Sequence, residues 1–140
     1  MFRSIVISFF MILTGIVEAY STNGGDRLFQ TTFVLKKLPA NTPHDATFYL
    51  ACDVTGWQPN NAALIFKKDN DGLYKLTIPH EAQQIAFKVT RGNWDAVEGR
   101  ANGRARPNRV FKKDSQEQLA VIELEVKSWE DLSHGSYYLY

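Results

Sequence analysis

Two tryptophans stand in turn-like sequence, Trp57 in Thr55-Gly56-Trp57-Gln58-Pro59 and Trp94 in Arg91-Gly92-Asn93-Trp94-Asp95. A flat apolar ring in a loop has two uses. It plugs the edge of a core, or it stacks on a ligand with a flat apolar face, such as the CH face of a sugar. Both uses stay open for both residues. Trp129, just past the last strand-like run, reads instead as a packing residue that closes the fold.

Other side chains with chemical potential are few. From Arg91 to Lys113 seven basic residues face only Asp95 and Glu98, a local balance of +5. Such a stretch either holds phosphate, sulfate or uronate groups through the planar guanidinium fork or forms a solvated loop. His44, His80 and His134 lack metal-ligand spacing, and there is no Gly-x-Ser-x-Gly elbow and no plausible Cys-His pair. Asp69 and Asp71 read as a turn, since no Glu follows at the offset of a calcium loop. Cys52 is the only cysteine, which excludes an internal disulfide and a multi-cysteine metal site and suits a small buried residue. The expectation is a non-catalytic protein with no metal and no cofactor.

These residues need a frame, and the chain of 140 residues, 44% apolar and 22% charged, is long enough to bury one core. A formal charge of +1 argues against nucleic acid as a partner. Arg3, the apolar run Ile5 to Val17 and Val17-Glu18-Ala19 have the order of a secretory signal over residues 1–19. The apolar run falls short of the ~20 residues a bilayer span needs, so no membrane partner is expected after its removal. The expected location is secreted, extracellular or periplasmic. Residues 20–27 read as a flexible lead-in, 28–130 as the folded unit and 131–140 as a tail.

Within that unit the apolar residues alternate. Phe29, Thr31, Phe33 and Leu35 share one face, as do Ala46, Phe48, Leu50 and Cys52 on a second segment. Ala63 to Phe66 is a third short run, and Asp71-Gly72 is a hairpin signal before Tyr74, Leu76 and Ile78. Ile85, Phe87 and Val89 point inward, which leaves Lys88 on the open face, and Ala120, Ile122, Leu124 and Val126 form a last strand. Short strands separated by turns predict an all-β, immunoglobulin-like antiparallel β-sandwich.

The order of motifs then resembles starch-binding and glycogen-binding carbohydrate-binding modules. Phe48 to Pro59 is similar to their opening strand and tryptophan loop, Gly72 to Pro79 to their second hairpin, and Ile85 to Thr90 to their aromatic-lysine strand. Trp94 followed by Pro107-Asn108-Arg109 is similar to their closing motif, so the resemblance spans about residues 28–127. It implies a polysaccharide or oligosaccharide partner, with Trp57 and Trp94 as a stacking platform and Lys88 and Asn108 hydrogen-bonding sugar hydroxyls. An α-glucan is the implied ligand, and a separate hydrolase an implied companion.

The chain departs from the starch-binding form between Trp94 and Pro107, where twelve residues intervene. The stretch Thr90 to Trp94 with Val97-Glu98 looks more like the variant found beside secreted bacterial esterases and other hydrolases. A different class of function stays open: an immunoglobulin-like interaction domain that presents its aromatic and basic loops to a partner protein.

Overall fold

The computed structural model describes residues 28–113 and 117–133. The expected signal, the lead-in and residues 134–140 of the expected tail lie outside these. Among the described residues nine strands pack as two facing sheets with a small third one, the all-β sandwich that the alternation predicts.

One sheet has the order β3 (Lys67–Lys68), β4 (Tyr74–His80), β1 (Phe29–Lys37), β8 (Leu119–Glu125). β1 runs antiparallel to β4 and parallel to β8, an exception to the antiparallel pattern expected. The second sheet has the order β2 (Tyr49–Cys52), β5 (Gln84–Thr90), β7 (Arg109–Lys112), all antiparallel. Two short strands, β6 (Glu98–Gly99) and β9 (Ser128–Trp129), pair beside it, and a single helical turn, α1 (Glu130–Ser133), follows.

The core lies between the two larger sheets, where inward side chains of both interdigitate. Phe33 of β1 meets Phe87 of β5 edge-on, centroids 4.9 Å apart. Trp129, fully buried, stacks on Phe48 at 5.8 Å and 12° and donates its indole N–H to Thr42 Oγ1 at 2.9 Å. An indole can be buried only where its N–H finds an acceptor, and Thr42 supplies it. Cys52 is a buried free thiol.

Two local sequences behave differently. Asp69 to Gly72 makes the predicted hairpin: Gly72 takes a φ of 84°, and Asp69 N–H donates to Leu73 O at 2.8 Å. Lys75 Nζ bonds Asp69 and Asp71 at 2.9 and 2.8 Å, and this partner holds both carboxyls below their ordinary range. The run Ala63 to Phe66, expected as a strand, instead opens with a 3-10 turn at Ala62–Leu64. The Asn61 side chain accepts Ala63 N–H at 2.9 Å, and that cap curls the chain before a ladder can form. Only Ile65 keeps a bridge, to Tyr49.

Candidate functional site

Trp57 leaves the end of β2 on an unusual backbone. Gly56 and Trp57 both have positive φ, 82° and 60°, and Trp57 is the only such non-glycine among the described residues. Trp57 N–H donates to Cys52 O at 2.8 Å, closing the turn at Asp53–Thr55 and fixing this torsion. A bulky residue in the left-handed region costs roughly 1–2 kcal/mol relative to its usual conformation. The indole is half-buried.

Trp94 follows β5. It opens a 3-10 turn, Trp94–Ala96, capped by Asn93, whose side chain accepts Ala96 N–H at 2.9 Å. Ala96 is buried beneath the turn, whereas Trp94 is 44% exposed. Ten of the twelve residues between Trp94 and Pro107 lie downstream of this turn. Val97 bridges Thr90, β6 pairs with β9, and a tight bend between Arg100 and Arg104 returns the chain toward β7.

Thr90 ties the two tryptophan loops together. It alternates onto the outer face of the second sheet yet is fully buried, because the loop after β2 folds back over it. Its hydroxyl donates to Pro59 O at 2.5 Å and accepts Gly92 N–H at 3.1 Å. One side chain thus anchors the Trp57 loop on one side and the Trp94 loop on the other.

The strand register directs Lys88 and Asn108 to the same outer face. Lys88 lies across from Ala51 of β2, and its neighbours Phe87 and Val89 are buried in the core. β5 pairs with β7 so that Phe87 faces Arg109; the register continued by one residue sets Asn108 across from Lys88. Asn108 is exposed and Lys88 half-buried. This row therefore presents an ammonium donor and an amide that both donates and accepts.

The basic stretch is only partly a surface feature. Arg109, expected in a solvated or anion-holding loop, points inward and grips Glu98 with Nη2 at 2.8 Å and Nε at 3.0 Å. Arg106 joins at 3.3 Å, Arg91 pairs with Asp131 beneath the Trp94 turn, and Lys113 is buried with its ammonium 4.6 Å from the Phe29 ring centroid. Four of the seven cations are thus tied into the fold, and Arg100, Arg104 and Lys112 stay exposed. The sequence placed Glu98 only in the Val97-Glu98 motif and as a countercharge to the arginines, yet its side chain is fully buried. The signal was present as an acid between Val97 and Gly99 in a stretch dominated by arginines.

His80 is buried, hydrogen-bonded through Nε2 to Thr31 Oγ1 at 2.7 Å and through Nδ1 to Ala82 O at 2.9 Å. Burial, aided by the nearby Lys113 charge, pushes its pKa below the ordinary value. His44 is exposed, and His134 lies outside the described residues. Among the described residues no group of His, Cys, Asp and Glu is placed to hold a metal ion.

No family profile matches the chain. Over 95 residues, 67% of this chain, it is 30% identical to an alpha-amylase of Niallia circulans. The match spans 7% of that protein's length, so the similarity is to a small part of it.

Proposed function

We propose that this protein is a secreted, non-catalytic carbohydrate-binding module that holds an α-glucan of the starch or glycogen type. Trp57 and Trp94 stack on glucose rings, and Lys88 and Asn108 hydrogen-bond hydroxyls at the ring edges. A sugar ring offers CH groups on its face and hydroxyls on its rim, so its reader needs rigid aromatic area and a few convergent polar groups.

The observation that carries this reading is the double anchorage at Thr90. It fixes both tryptophan loops to one strand, whose next residue but one is Lys88. Similarity to part of an alpha-amylase favours an α-glucan over other polysaccharides. Stacking of rings on aromatic side chains is worth roughly 1–3 kcal/mol per ring by analogy with nucleobases, which suits reversible attachment to a polymer.

Affinity electrophoresis of the full chain through native gels containing glycogen, amylopectin or an uncharged β-glucan tests the proposal. Retardation by the two α-glucans, lost in Trp57→Ala, is the expected result. Unretarded migration in all three gels would overturn it and favour a protein partner for the same loops.

A further inference from the structure

The geometry points to Glu98 as the positioning residue of this surface: a buried carboxylate, out of reach of any ligand, that holds three of the four proposed sugar-contacting residues in place. The inference rests on the carbohydrate-binding reading.

The bonds of Glu98 end beside those residues. Its Oε2 accepts Val89 N–H at 2.9 Å, one residue from Lys88. Its two oxygens take the Arg109 fork at 2.8 to 3.1 Å, one residue from Asn108. Its own backbone continues the segment Trp94–Val97 and pairs with Trp129 of β9. The carboxylate therefore lies under the Lys88–Asn108 row and at the root of the Trp94 turn.

Strand chemistry explains why an acid is needed there. β7 begins only at Arg109, across from Phe87. Continuing the register brings Pro107 across from Val89, beyond the end of β7, so the β5 ladder runs out of acceptors at Val89. Glu98 supplies the missing one. Arg109 neutralises the charge that this places inside the protein and, through a 2.7 Å bond from Nη2 to Glu125 O, fastens the start of β7 to β8. A buried carboxylate left without such donors would be strongly destabilising.

Trp57 provides an internal control. Its loop is anchored through Cys52 and through Pro59 to Thr90, the residue after Val89, so its link to Glu98 runs through one more hydrogen bond than that of Lys88. Removing the charge at residue 98 should release Trp94, Lys88 and Asn108 and disturb Trp57 less.

The test uses the full chain labelled with 5-fluorotryptophan, comparing wild type with Glu98→Gln by fluorine NMR and by affinity electrophoresis in glycogen. Expected are a shifted or broadened Trp94 resonance, a Trp57 resonance moved less than that of Trp94, and glycogen retention weakened about tenfold, the scale of coupling within one hydrogen-bond network. Adding Trp94→Ala to Glu98→Gln should then weaken retention little further. Wild-type retention and an unmoved Trp94 resonance in Glu98→Gln would overturn the inference. If wild type itself ignores glycogen, the carbohydrate reading fails, and the Trp94 resonance alone still decides whether Glu98 positions that turn. Should Glu98→Gln not fold, Arg109→Lys, which keeps charge but loses the fork, and Arg106→Gln carry the same two readouts. Wild-type behaviour in both would overturn the inference.

Discussion

Trp57 holds its half-buried indole on a torsion that few side chains tolerate, outside the cluster of side chains that forms the core. The structure anchors the backbone through Cys52 O rather than through the ring. Two consequences separate binding from stability at this position. Trp57→Ala is expected to abolish retention by glycogen while far-ultraviolet circular dichroism stays native. Trp57→Gly is expected to bind no better, yet to be more stable than Trp57→Ala by about 1 kcal/mol, because glycine adopts φ near +60° without steric cost. Denaturant titration of the two variants measures that difference, and equal midpoints would show that the torsion stores no strain. Trp57 and Trp94 were legible in sequence as candidates through type and their place in turns, Lys88 and Asn108 through the resemblance to starch- and glycogen-binding modules. Glu98 was not, because an acid among arginines reads as a solvated charge until its strand neighbours are known.

At the scale of elements, alternation gave away β1, β2 and β5, since one buried face imposes period two on each. It could not reveal that β1 pairs in parallel with β8, a choice made by the chain's path between sheets. Nor could it foresee the Asn61 cap that replaces a strand with a turn. The inserted β6 strand makes a sharper prediction. A Cβ at Gly99 would lie 2.7 Å from Ser128 Oγ and 2.9 Å from the Arg104 carbonyl, and a backbone oxygen has little room to retreat. Gly99→Ala should destabilise the protein by about 1–3 kcal/mol and weaken glycogen retention through the Trp94 turn, although residue 99 touches no ligand. Wild-type stability in this variant would mean that β6 can leave β9 freely. The β4 end gives a pH dependence. His80 has its folded pKa lowered from 6.5, so on acidification the unfolded chain takes up its proton first. Stability should therefore decline as pH falls below about 6.5 and level off beneath the lowered folded value. His80→Gln should flatten that part of the unfolding midpoint against pH.

Across the whole molecule, the three tryptophans divide the work of the fold and the work proposed for its surface. Trp129 sits at 0% exposure between Phe48 and the Arg91 guanidinium, which lies 5.1 Å from its ring centroid, and it closes the sandwich. Truncating it to alanine should cost about 3–5 kcal/mol, whatever ligand is present. Trp57, half-buried, and Trp94, exposed, should behave in the opposite way. A ligand that binds only the folded state stabilises it by about 2.7 kcal/mol at one hundred times its dissociation constant. A soluble maltooligosaccharide in that excess should raise the thermal midpoint of the wild-type chain by several degrees. The same sugar should leave Trp57→Ala unmoved and should shift Trp129→Ala upward from its lower starting point. Scanning calorimetry with and without the sugar reads all three. An equal sugar-induced shift in wild type and Trp57→Ala would remove Trp57 from the binding surface, because linkage tracks the contacts a ligand makes and not the stability of the protein that makes them.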